Sequence, residues 1–123
     1  MSIGLVTSRA LAGIDAPAVR IEVFLSGGLP SFSVSGMAET AVRESKDRVR
    51  GAIIKSGFRF PQERITVSLA PAELPKSGGR FDLAIALGIL VAAKHLPQQA
   101  LDGTECFGEL GLNGEVREVH GLL

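Results

Sequence analysis

Residues 18–25 alternate strictly, with Val19, Ile21, Val23 and Leu25 on one face and Arg20, Glu22 and Phe24 on the other. That two-residue period predicts a strand with one buried side. Residues 4–13 form a first strand before it, and residues 31–35, with Phe32 and Val34 facing one way, a third after it. Gly13-Ile14-Asp15-Ala16-Pro17 and Ser26-Gly27-Gly28-Leu29-Pro30 supply the turns between them. Three strands joined by short turns predict an antiparallel meander.

The period then changes. Ala38, Val42, Ser45, Val49, Ala52/Ile53 and Ser56 recur by threes and fours, which predicts a helix over residues 38–56 stopped by Gly57. Its stripe is made of small side chains, so it can lie close to a sheet. Glu39–Arg43 and Glu44–Arg48 are acid-before-base pairs four residues apart, each stabilising by a few tenths of a kcal/mol. Ile65, Val67 and Leu69 alternate again in a fourth strand over 64–69. After an irregular loop, residues 80–94 form a second helix that is apolar almost all the way round, and such a helix belongs inside a domain. Residues 105–110 and 116–119 close the pattern as a hairpin around Gly111-Leu112-Asn113-Gly114. Strands first, then helices alternating with strands, predict an α+β two-layer fold with two main helices.

The loop before the apolar helix carries the first candidate chemistry. In Lys76-Ser77-Gly78-Gly79-Arg80 two glycines let backbone approach closely, and a helix N-terminus beside two cations suits a phosphate or carboxylate. The same residues also suit a tight turn with solvated cations. The spacing of a P-loop is absent throughout the chain. Asp82, in the helix's first turn, is placed to answer the dipole. A second candidate is the basic strip of Arg43, Lys46 and Arg50 on one flank of the first helix, able to touch DNA phosphates or to remain a solvated face of mixed charge.

Composition narrows the classes. A chain of 123 residues suits one domain, residues 1–123, with a core of Leu, Ile, Val and Ala and six Phe as its largest pieces. Lys and Arg total 13 and Asp and Glu total 13, so no global field draws the chain to nucleic acid or to a membrane. His95 and His120 stand alone, and a single cysteine, Cys106, gives no disulfide and no zinc spacing, so no metal site is expected. Cys106 falls in a core strand and is expected to be buried and inert. The chain has no signal-peptide pattern, and its longest greasy stretch is too short to span a bilayer; a cytoplasmic protein is expected.

Longer blocks carry a resemblance. Leu5-Val6-Thr7-Ser8-Arg9-Ala10-Leu11-Ala12-Gly13-Ile14 and Gly28-Leu29-Pro30-Ser31-Phe32 come first, then Glu39-Thr40-Ala41-Val42-Arg43-Glu44 and Lys46-Asp47-Arg48-Val49-Arg50. Ser56-Gly57-Phe58, Leu69-Ala70-Pro71-Ala72, the block from Leu74 to Leu90 and Phe107-Gly108-Glu109-Leu110-Gly111-Leu112 complete them. Together they resemble the N-terminal domain of the ComM-like, magnesium-chelatase-related AAA+ ATPases. The resemblance implies a ribosomal-protein-S5-domain-2-like fold, shared with the Lon protease domain. It implies a non-catalytic accessory domain of a hexameric motor acting on branched or single-stranded DNA during recombination in natural transformation. An ATPase module holding ATP and Mg would follow Leu123 and is absent from this chain, so no cofactor is expected here. Against the Lon nucleophile segment the serine position falls on Arg80, and no lysine follows Lys94, which implies a fold kept without its peptidase chemistry. DNA or partner contact would then fall to Lys76, Ser77, Gly78, Gly79, Arg80, Arg43, Lys46 and Arg50, with no catalytic residue and no membrane. A protein–protein scaffold, or a vestigial Ser/Lys peptidase using Ser77, are the other classes.

Overall fold

The computed structural model describes residues 2–10, 17–71 and 79–117. It is α+β: strands β1 (Ser2–Arg9), β2 (Ala18–Ser26) and β3 (Ser31–Ser35), helix α1 (Glu39–Lys55), strand β4 (Arg64–Ala70), helix α2 (Asp82–Ala92), then the short strands β5 (Glu109–Leu110) and β6 (Val116–Arg117). A single turn of 3-10 helix, Gln98–Leu101, lies between α2 and β5.

The alternation predicted for β2 and β4 is fully realised. Val19, Ile21, Val23, Leu25, Ile65, Val67 and Leu69 are at most 1% exposed, while the intervening residues face away. α2 lies over β1 and β2, with α1 beside it, so the buried side chains of both helices and one sheet face form one core. Nine of the eleven α2 residues are buried, as an apolar helix requires. On α1, Ser45, Val49, Ala52 and Ile53 are buried, while the predicted stripe's ends, Ala38 and Ser56, are exposed.

The meander does not form. The sheet order is β1-β2-β4-β3: β1 and β2 are antiparallel, β4 inserts antiparallel to β2, and β3 pairs in parallel with β4 instead of with β2. The sheet is therefore mixed, and β3–α1–β4 is a crossover unit. Skipping one strand position costs little: neighbouring strands lie about 4.8 Å apart, so the four residues between Ser26 and Ser31 easily span two spacings. The turn residues around 27–30 were compatible with either pairing.

Both helices end in the same hydrogen-bonded motif. Gly57, with φ of +89°, donates to Ile54 and Phe58 donates to Ile53; Lys94, with φ of +66°, donates to Val91 and His95 donates to Leu90. These are paired Schellman closures, one built on the expected glycine and one on a lysine. They bring the two following residues together: the Phe58 and His95 rings lie 5.3 Å apart.

The outer edge of β1 is closed by a side chain acting as a strand. Gln98 Nε2 donates to the Leu5 carbonyl at 2.8 Å and the Leu5 N–H donates to Gln98 Oε1 at 2.9 Å. Further along, the Cys106 N–H donates to the Thr7 carbonyl at 2.9 Å, and Arg9 pairs with Glu105 at 2.6 Å. An edge that would otherwise offer bare backbone is thus occupied. The hairpin expected over 105–110 and 116–119 is shorter than predicted, with Glu109 and Leu110 paired to Arg117 and Val116; Val119 lies outside the described residues.

Candidate functional site

The two candidate regions lie on opposite flanks of α1. On one, the start of α2 is turned inward. Lys76, Ser77 and Gly78 lie outside the described residues; Gly79 and Arg80 are buried. Arg80 Nε donates to the Arg9 carbonyl at 2.8 Å, and its guanidinium lies 5.2 Å from the Phe107 ring centre. This cation ties the α2 approach to the end of β1. The N-terminal amides are also engaged: Asp82 donates to the Gly79 carbonyl and Leu83 to the Gly108 carbonyl, both at 3.0 Å.

Asp82 does much more than face the helix dipole. It is 1% exposed and gathers three partners from two other elements: Ser45 Oγ donates to Oδ1 at 2.6 Å, Arg48 Nε donates to Oδ2 at 2.6 Å, and the Leu110 N–H donates to Oδ2 at 3.2 Å. Arg48 also reaches Glu44 at 3.7 Å, the predicted pair one turn away. One carboxylate thereby joins α1, α2 and β5. Distances this short are those of charge-assisted bonds. The hydrogen bond to Asp82 foremost holds the Arg48 guanidinium above its ordinary value.

Burial holds the Asp82 carboxyl above the usual carboxylate range, against the opposing bonds from Arg48, Ser45 and Leu110. Folding then favours the protonated acid, so this group's contribution is fully present below the ordinary carboxylate pKa, about 3.9. It is lost as pH rises through the raised value. The denaturation midpoint of Asp82→Asn, plotted against pH, should lack that segment of decline; an unchanged profile would mean Asp82 carries no such linkage.

On the opposite flank, Arg43 and Arg50 are exposed and Lys46 is half-buried, along the strip the sequence suggested. Their setting was not legible from spacing. Lys46 Nζ lies 5.8 Å from the Phe32 ring centre, Arg50 lies 4.9 Å from that of Phe60, and the two rings are 5.8 Å apart. Cations held over rings are positioned in advance instead of free to sweep solvent. Asp47 is exposed one turn from both Arg43 and Arg50 and tempers the strip's charge. Beyond Phe60 a cavity of about 300 Å³ is lined by Arg59, Phe60, Pro61, Gln62, Glu63, Ala93 and His95.

The described residues include no cluster of three or more His, Cys, Asp or Glu able to hold a metal. Cys106 is buried, and burial raises its thiol, as a core cysteine requires. No helix among the described residues is long and apolar enough to cross a membrane.

Comparison with known proteins places these features in a family. The family model for the ChlI subunit of Mg-chelatase matches residues 21–123. The chain is 51% identical over 123 residues to the competence protein ComM of Haemophilus influenzae and 49% identical to the YifB protein of Salmonella typhimurium. It is 41% identical to the Mb2921c protein of Mycobacterium bovis. In each case the whole chain is covered but only 24% of the relative, so the chain spans about a quarter of the length of the curated relatives it matches. The matched region takes in both helices, β4 and the residues of the Asp82 network, and the chain belongs to the Mg-chelatase ChlI-subunit family.

Proposed function

We propose that this chain is the N-terminal, non-hydrolysing part of a ComM-like, magnesium-chelatase-related ATPase, and that it contributes DNA contact through the exposed flank of α1. The observation that carries this is the row of Arg43, Lys46 and Arg50, three cations along one flank of a helix, two of them, Lys46 and Arg50, braced by rings. Two points support the wider reading. The likeness to ComM covers the whole chain, and the relatives are about four times as long, leaving room for an ATP- and Mg-binding module elsewhere in them. The mixed four-stranded sheet with both helices on one face suits the S5-domain-2-like, Lon-like architecture that the sequence resembles. In the longer protein the domain would sit in the cytoplasm within a homo-oligomeric ring, with the ATPase module as its partner. Arg80, buried against Arg9 and Phe107, serves the fold in this reading.

The test is a fluorescence-anisotropy titration with single-stranded and branched DNA. Three phosphate contacts give a slope of log affinity against log salt of about −2 to −3. Affinity should then drop about twentyfold to fortyfold between about 50 and about 200 mM salt. The triple variant Arg43→Glu/Lys46→Glu/Arg50→Glu should lose most of the low-salt binding, and Asp47→Asn, which touches no proposed contact, should strengthen it. No binding at low salt would leave a protein–protein scaffold as the better account, and sedimentation with the ATPase module added in trans would then test that account.

A further inference from the structure

The cavity beyond Phe60 has features that phosphate contact alone does not explain. Phe58, Arg59 and Phe60 follow one another, and their two rings serve different elements: Phe60 backs Arg50 on α1, and Phe58 backs His95 beyond α2. His95 and Arg50 are exposed, so each presents a planar group to solvent while a phenylalanine supports its other side. Between Phe60 and His95 lies the cavity of about 300 Å³, with Gln62 and Glu63 on its wall. That is near the lower limit of small-molecule pockets, about 300 Å³. The lining mixes flat groups able to stack with side chains able to pair with a base edge.

The charge around it is sorted. The cavity opens beside Phe60, whose ring continues through Phe32 to Lys46, so a polyanion following α1 would reach it past Arg50. Arg59 is exposed on the rim. The cavity wall includes Ala93, which ends α2 where the helix dipole presents partial negative charge, and the acidic Glu63. An anion is therefore disfavoured inside and favoured outside. A nucleic acid strand meets both conditions: phosphates on Arg50 and Arg59, a neutral base within.

We infer that this cavity receives one unpaired base of a single-stranded nucleic acid whose backbone runs along Lys46 and Arg50. The inference rests on the DNA-contact reading and adds to it a preference for strands with accessible bases. A duplex keeps its bases stacked and paired, whereas a single strand can turn one out onto His95.

The test compares oligothymidine with an abasic deoxyribose-phosphate oligomer of equal length, with duplex DNA and polyglutamate as further probes, all on the full 123-residue chain. Oligothymidine should bind about tenfold more tightly than the abasic oligomer, the scale of one stacked base. His95→Ala and Gln62→Ala, both in exposed or half-exposed positions, should remove that preference while leaving abasic binding and its salt slope unchanged. Circular dichroism of each variant would confirm an intact fold. Equal binding of the two oligomers, or of duplex and single strand, would overturn the base site while the phosphate contacts stood. Binding of neither oligomer would overturn the DNA-contact reading as well. Polyglutamate competing as well as oligothymidine would overturn both, leaving a general polyanion surface.

Discussion

Arg48→Met should destabilise the folded chain by about 3 kcal/mol, read as a shift in the urea midpoint. The substitution keeps most of the aliphatic bulk and removes the charge opposite Asp82. What remains is a carboxylate that is 1% exposed, held only by Ser45 Oγ and the Leu110 N–H. Breaking one partner of a buried ion pair costs about 3–5 kcal/mol because the survivor is left uncompensated. The lower end applies here, since the Arg48 side chain is still 17% exposed and the pair is not fully dry. Asp82→Leu alone should cost a comparable amount, because it strands Ser45, Leu110 and Arg48 at once. The double substitution Arg48→Met/Asp82→Leu should be less damaging than the sum of the two, since both charges then leave the interior together. Strictly additive effects would show that the 2.6 Å contact contributes no coupling. A loss under about 1 kcal/mol for Arg48→Met would show that solvent already reaches the pair.

That network also shows where reading the sequence works and where it stops. β2, β4 and α2 were legible because each is decided locally: Val19 to Leu25 alternate, and residues 83–92 offer no polar face at any angle. The place of β3 was not legible. Its neighbour β4 is supplied by a segment about thirty residues later, and local alternation carries no information about which strand inserts where. Asp82 and Arg48 failed for the same reason: each has a plausible local role, Asp82 at the helix dipole and Arg48 with Glu44, yet their main partner is 34 residues away. Arg80 resembled a surface cation in a Gly-rich loop, but the Arg9 carbonyl and the Phe107 ring draw it inward. Of the candidate site, the row of Arg43, Lys46 and Arg50 was visible from helical spacing alone. The rings beneath it come from β3 and from the segment after α1, which no helical wheel displays. His95 reads as a lone histidine in the sequence because its ring neighbour, Phe58, comes from the segment after α1. Lys76, Ser77 and Gly78 lie outside the described residues, so they enter neither site.

Gly4→Ala should be more damaging than any other single methyl added to the sheet, costing about 3 kcal/mol or more. Gly4 sits on the β1 face that α2 covers, and a Cβ there would run into the carbonyl oxygen of Gly88 and lie 3.1 Å from the Ala92 amide nitrogen. Both obstacles are helix backbone, which cannot swing aside as a side chain can, so α2 must lift along its length. Gly88 marks the other half of the same close approach. Its Cβ would lie 2.6 Å from Val23 Cγ2 and 3.4 Å from Val6 Cγ2, and Val23 is 0% exposed. For Gly88→Ala two effects oppose: alanine favours the helix by about 1 kcal/mol, while overfilling a tight core costs about 1–3 kcal/mol. The packing term should win by about 1 kcal/mol, because the valine it strikes lies between two paired strands with no space behind it. The two sites separate by their rescue. Val23→Ala removes the methyl that meets position 88 and should restore part of the stability of Gly88→Ala, whereas no side-chain trimming relieves Gly4→Ala. Urea denaturation of the single and paired variants checks both statements. A Gly88→Ala chain more stable than its parent would mean that α2 rides higher on the sheet than 2.6 Å allows, and the close seating of this helix, which also sets Asp82 against Arg48, would have to be given up.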